Sequence, residues 1–159
     1  MNNALEQTLA AARGRSLQRG MTLIEVLIVV VIISILASIA YPSYTDFITR
    51  SKRSTGQSAL MQLADRQQQF FMDNKRYAAT LTALGYAADP FAIDDQGTVV
   101  AVGDASSVYD ISMNNLTAIT FTAVADPVNV QATRDTDCGT LSLTHAGAKT
   151  ASTGSNNCW

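Results

Sequence analysis

Hydrophobic and polar positions divide this chain into an apolar run, an amphipathic stretch and a region of short alternating segments. From Met21 to Ala40 the only non-apolar residues are Thr22, Glu25, Ser34 and Ser38. A run of that length in helical form spans about 30 Å, the thickness of a bilayer hydrocarbon core. Beyond it, Ala59, Leu60, Leu63, Ala64, Phe70 and Phe71 recur at spacings of three and four that trace one helical face. Between the two lie Tyr41-Pro42-Ser43-Tyr44, Phe47, Ile48 and the basic cluster Arg50-Ser51-Lys52-Arg53. Proline inside a helix removes one backbone hydrogen bond and crowds the preceding turn, so Pro42 either ends the helix or kinks it. The pattern predicts one helix, kinked near Pro42, from Thr22 to about Asn74, roughly 80 Å long. Its first half has no partner within its own chain, whereas its second half has an apolar stripe to cover. Such a subunit suits lateral helix packing with copies or relatives.

Asn74-Lys75-Arg76-Tyr77 and Leu81-Thr82-Ala83-Leu84-Gly85-Tyr86 close the helix. Ala87 to Ser107 is rich in Ala, Asp and Gly, with one β-like piece at Val99–Val102, and reads as a surface loop. Strand patterns follow at Val108–Met113, Ile119–Val124 and Thr140–Thr144, with turns at Asn114-Asn115 and Ala146-Gly147. The expectation is an α+β head: a small antiparallel sheet of three to four strands packed on the long helix.

The apolar run has three possible fates. A cleaved secretory signal is supported by the small-residue triplet Ser38-Ile39-Ala40, but the run is longer than a usual signal core and contains Glu25. A simple anchor would treat Glu25 as a tolerated blemish near the interface. A cut after Gly20 would instead make Met21 a new N-terminus, with Glu25 one helical turn from a free amine and at the positive end of the helix dipole. Ionisable residues inside membranes usually mark a function and have a partner. The third fate explains the glycine, the basic residue before it and the glutamate together.

Composition and charge narrow the field. The chain has 159 residues and a formal charge of -2, enough for one membrane segment and one small domain. Arg13, Arg15 and Arg19 precede the apolar run, opposed by Glu6 alone. That bias predicts a cytoplasmic N-terminal side and an exported remainder. Without the first 20 residues, eight basic and twelve acidic side chains are left, a balance unsuited to general nucleic-acid binding. Cys138 and Cys158 are the only cysteines, and an exported compartment favours their pairing as a disulfide. With one histidine, His145, they provide too few ligands for a structural zinc site. His145 lies at an expected hairpin turn and carries no catalytic scheme, so the chain reads as no enzyme and needs no cofactor. Asp94-Asp95-Gln96-Gly97 lacks the ligand spacing of a calcium loop and reads as a turn. Phe70 and Phe71 read as core, and Arg50, Lys52 and Arg53 as a solvated face, with contacts to a neighbouring subunit or lipid headgroups second. Cations available to DNA are Arg134, Lys149 and His145 near the disulfide region and Lys75 and Arg76 at the helix exit, a thin patch diluted by Asp135 and Asp137.

Arg19-Gly20-Met21-Thr22-Leu23-Ile24-Glu25-Val26 resembles the class III signal of type IV prepilins and related pseudopilins. Asp137-Cys138-Gly139-Thr140-Leu141-Ser142-Leu143, Gly147-Ala148-Lys149-Thr150 and Cys158-Trp159 resemble the disulfide-bounded region of PilE-like minor pilins. The stretch from Arg76-Tyr77 to Leu84-Gly85-Tyr86 resembles the pilin helix exit. The resemblance implies cleavage by the prepilin peptidase after Gly20, N-methylation of Met21, where most members have phenylalanine, and an assembly role for Glu25. It also implies a Cys138–Cys158 disulfide and the type IV pilin fold. The organisation it implies is a leader over 1–20, a transmembrane and assembly helix over 21–41 and an amphipathic continuation over 42–74. A connecting loop over 75–107 and a sheet with the disulfide region over 108–159 complete it. The implied function is a structural subunit, a minor pilin serving pilus assembly with pilus-linked motility and adhesion. Its partners would be other pilins through the N-terminal helix, the prepilin peptidase, the inner membrane and the assembly machinery. The prepilin would wait in the inner membrane with a periplasmic head before joining a surface pilus. Alternatives are a DNA-uptake pilin and a type II secretion pseudopilin, the latter opposed by the Cys138…Cys158-Trp159 pattern.

Overall fold

The computed structural model describes residues 20–154 and 157–159. The leader expected over 1–20 therefore lies, except for Gly20, outside the described residues. The helix α1 runs over Leu23–Asn74, 52 residues, with Pro42 inside it, so the proline does not end the helix. Hydroxyl groups around that proline turn back onto the helix: Ser34 donates to the Val30 carbonyl, Ser38 to Ile35, and Thr45 to Pro42. Such bonds satisfy polar groups without any outside partner.

The described residues fall into two compact units that divide at Tyr41 and Pro42. In the first, every described residue is exposed, including Leu23 at 82% and Ile39 at 68%. This helix is long and apolar enough to cross a membrane.

The second unit is a helix-on-sheet domain. Six antiparallel strands lie in the order β2-β1-β3-β4-β5-β6: β1 Phe91–Ile93, β2 Val99–Val100, β3 Tyr109–Asn114, β4 Thr122–Pro127, β5 Leu141–Thr144 and β6 Lys149–Ala151. A short helix α2, Asn129–Arg134, joins β4 to β5. Tyr109 and Ile111 are buried while Asp110 and Ser112 are half-exposed, as the two-residue period of a strand requires. Ile111 pairs with Ala125, and Ala125 with Leu141, so one sheet face carries a continuous apolar row. Leu60 and Leu63 of α1 are fully buried with that row, together with Leu81, Phe91 and Phe121. Burying each such side chain contributes about 1.5–3 kcal/mol. Gly56 allows α1 to approach closely, since a Cβ there would stand 3.1 Å from the Tyr109 ring.

The sheet exceeds the expected three to four strands by its outer members. Residues 75–107, expected as connecting loop, contain a 3-10 turn at Thr82–Leu84 and the β1–β2 hairpin. All three residues of β1 are buried, so the polar alternation that announces a half-exposed strand is absent. The hairpin is closed by Asp94, whose carboxylate accepts from the amides of Gln96 and Thr98, confirming Asp94–Gly97 as a turn. The second expected strand, Ile119–Val124, begins later, at Thr122, because residues 115–120 form a turn knitted by Thr117 and Thr120.

Candidate functional site

At the start of α1, Gly20 and Met21 are exposed, and nothing stands within 4 Å of the position a Gly20 Cβ would take. The first intrahelical bond runs from the Val26 amide to the Thr22 carbonyl. Thr22 and Glu25 then satisfy each other's backbone amides. The Glu25 amide donates to the Thr22 hydroxyl at 3.2 Å, and the Thr22 amide donates to Glu25 Oε2 at 3.4 Å. This is a capping box, two otherwise unpaired amide donors met reciprocally. Its sequence signature, a threonine followed three residues later by a glutamate, was present in Thr22-Leu23-Ile24-Glu25. The Glu25 carboxylate thus has a partner in its own chain, a long contact that a stronger donor can displace.

The second organised region surrounds the disulfide. Cys138 and Cys158 are bonded, with their Cα atoms 5.5 Å apart and both side chains buried. Beside it stands Asp135, 1% exposed and immediately after α2. Arg53 of α1 grips its carboxylate with two donors: Nε to Oδ2 at 3.0 Å and Nη2 to Oδ1. The Tyr109 hydroxyl donates to Oδ2 at 2.9 Å, and Gln131 Nε2 donates to the same oxygen at 3.1 Å. Gln131 Nε2 also lies 3.2 Å from the Thr49 carbonyl of α1. The bond to Asp135 raises the Arg53 guanidinium above its ordinary range, and burial raises the Tyr109 phenol. A buried carboxylate is tolerable only when paired and hydrogen-bonded, and four donors from α1, β3 and α2 meet that need.

This overturns two charge expectations. Arg53 is not part of a solvated face, because it spans from α1 to Asp135. Arg50 is exposed and Lys52 half-exposed. Asp135 does not dilute the surface near Arg134, because its charge is buried and neutralised.

The DNA-facing candidates divide differently from their sequence neighbourhoods. Arg134 is exposed at the end of α2, and Asp137 is exposed near it in sequence. Lys149 stands 5.2 Å from the centroid of the Trp159 ring, and the Trp159 indole donates to the Thr150 carbonyl. His145, in the β5–β6 turn, lies 6.4 Å from the Tyr77 and Phe121 ring centroids. It therefore belongs with the helix exit and the neighbouring Lys75 and Arg76, not with the disulfide. Lys75 Nζ is engaged with the Met72 carbonyl at 2.8 Å, whereas Arg76 is exposed. Phe70 and Phe71 pack against the core, as expected. Gln67 was missed: fully buried in the apolar stripe, it exchanges two hydrogen bonds with the backbone of Ala78 and fixes the chain where it leaves α1.

A long helix, apolar and unburied at its start and packed on an antiparallel sheet over its second half, defines a type IV pilin fold. Residues 42–142 match the family described as "Type IV minor pilin ComP, DNA uptake sequence receptor", and residues 15–41 match the "Prokaryotic N-terminal methylation motif". The chain belongs to this type IV pilin family and is a pilin structural subunit. Among its relatives, the type IV major fimbrial protein FimA of Dichelobacter nodosus is 33% identical over 128 residues, covering 65% of this chain and 82% of that protein. The type IV major pilin protein PilA of Myxococcus xanthus is 44% identical over 71 residues, covering 45% of this chain and 32% of that protein. The match to PilA thus spans about a third of that protein's length. These relatives are pilin and fimbrial proteins, and none of the quoted descriptions is that of an enzyme.

Proposed function

We propose that the chain is made as a prepilin, cut after Gly20, N-methylated at Met21 and built into a type IV pilus as a minor subunit. The observation that carries this reading is the exposed Gly20–Met21 junction, placed directly before a capped helix that buries none of its apolar residues up to Tyr41. A peptidase needs an accessible bond, and an unburied apolar helix needs a bilayer or other helices around it. Before assembly the bilayer surrounds this helix, with the basic side cytoplasmic and the head periplasmic. In the filament, neighbouring pilin helices replace lipid.

Glu25 selects the partner. Cleavage creates a cationic amine at Met21, and a charge-assisted bond from such an amine in a neighbouring subunit outcompetes the 3.4 Å amide contact within the chain. The carboxylate is thereby transferred from a local cap to an intersubunit pair. Mass spectrometry of the mature N-terminus tests the processing: methylated Met21 is expected, and a chain beginning at Tyr41 would overturn it. Glu25→Val should be cut and membrane-inserted yet depleted from sheared filaments; incorporation at the wild-type level would rule out the assembly role.

A second reading is a DNA-uptake pilin, favoured by the description of the matching family and by the exposed cations Arg134 and Arg76. Phosphate contacts of this kind weaken steeply with salt. Duplex DNA binding that falls with salt and with Arg134→Ala would support it, and salt-independent or absent binding would remove it.

A further inference from the structure

The disulfide closes its segment upon itself, but it does not by itself attach that segment to α1. Cys138 and Cys158 belong to the same stretch of chain, 20 residues apart. Two side chains of α1 reach this region: Gln57 Nε2 donates to the Cys158 carbonyl at 2.6 Å, and Arg53 takes Asp135, 82 residues along the chain and on the Cys138 side of the bridge. Around Asp135 the structure is organised from both directions. Its side chain receives Arg53, Tyr109 and Gln131. Its main-chain carbonyl receives the amides of Cys138 and Gly139, at 3.4 and 2.9 Å, and so shapes the turn that delivers Cys138. Gln131 extends the grip to the Thr49 carbonyl. The same residue therefore ends α2, begins the disulfide segment and faces the helix.

We infer that Arg53 and Asp135 are positioning residues: together they lock α2 and the turn leading to Cys138 onto α1, independently of the Cys138–Cys158 bond. The chain thus carries two locks with different reach. The covalent one holds the last residues, which include Trp159 and meet α1 through Gln57 at the Cys158 carbonyl, to the turn at Cys138. The ionic one holds that turn, and Arg134 with it, to the helix. A fork with two parallel donors suits this task better than a point charge, because it fixes orientation as well as distance. The two carboxylate oxygens are engaged by different guanidinium nitrogens, so Arg53 sets the rotation of the Asp135 side chain and not only its place. Neither the processing site nor DNA binding is required for this inference.

Hydrogen exchange on the full-length chain in detergent tests it, read segment by segment with and without reductant. In Arg53→Met, amides of residues 129–139 should exchange about 100-fold faster while those of β3 and β4 are unchanged and the disulfide stays formed, since a buried carboxylate has lost its partner. Reduction of the wild-type chain should instead accelerate residues 150–159 and leave 129–134 protected. Spin labels at Ser58 and Thr133, both exposed, give a readout of position: the distance distribution should broaden in Arg53→Met and stay narrow on reduction. Arg53→Lys keeps the charge but not the fork, and guards against a fold lost outright in the methionine variant. It should give a smaller but measurable broadening. Unchanged exchange and distances in both variants would overturn the inference. So would equal loosening of 129–134 by reduction alone.

Discussion

The two units of this chain solve opposite problems with similar residues. Residues 23–41 form a helix as apolar as any core, and none of its side chains is buried. From Thr49 onward the same helix buries Gly56, Leu60, Leu63 and Gln67 against a sheet. The first part is stable as a helix because its polar groups are answered locally, by the Thr22–Glu25 capping box and by serine hydroxyls bonded back to the helix. The second is stable because distant segments answer it: Ala78 at Gln67, Asp135 at Arg53, Gln131 at Thr49. A segment with only local bonds can exchange its surroundings, lipid for protein, without unfolding. A segment held by distant bonds cannot.

Paired leucine truncations break this comparison most sharply. Leu63→Ala, at a fully buried position, should cost about 2–5 kcal/mol of head stability by denaturant titration. Leu36→Ala, 61% exposed, should change that stability by no more than about 0.5 kcal/mol and act instead on incorporation into filaments. Equal losses at the two positions would mean that the first unit is packed within the subunit after all. Next in size is the disulfide. Cys138→Ser with Cys158→Ser should lower head stability by roughly 3 kcal/mol, since the bond closes a loop of 20 residues. The melting of the segment before Tyr41, followed by circular dichroism in detergent, should not move.

The smallest effect concerns Asp110, which faces Asp126 directly across the β3–β4 pair. Burial, and then the Asp126 charge, raise its carboxyl above the usual range, and Oδ1 lacks a hydrogen-bond donor among the described residues. A carboxyl that binds its proton more tightly when folded adds stability as pH falls. The gain begins as pH drops through the raised folded value and is complete below the ordinary one. Asp110→Asn should stabilise the head slightly at neutral pH and flatten this acid-side rise, measured as denaturation midpoint against pH. A midpoint that falls in the variant would contradict it.

Local features were legible in the chain itself. The extent of α1, with its end at Asn74, followed from apolar spacing, and the pairing of Cys138 with Cys158 from the exported context. Strands β3 and β5 were placed within a residue or so, because each alternates over a half-exposed face. The strand β1 was not, since Phe91, Ala92 and Ile93 are buried on both sides and show no alternation. Gln67 and Asp135 were invisible for a related reason. A polar residue in a stripe or a loop looks solvated until its partner is known, and those partners lie 11 and 82 positions away.

The sequence by itself determined where the helix runs, which part of it is left without a partner and how its first turn is capped. Those are properties of backbone periods of 3.6 and 2 residues and of bonds between near neighbours. Only the tertiary structure decided which charges are free. Arg53 and Arg50 look alike in Arg50-Ser51-Lys52-Arg53, yet one is exposed and the other clasps a buried aspartate. Desolvation and pairing depend on what folding brings together, and no local pattern of the chain encodes that.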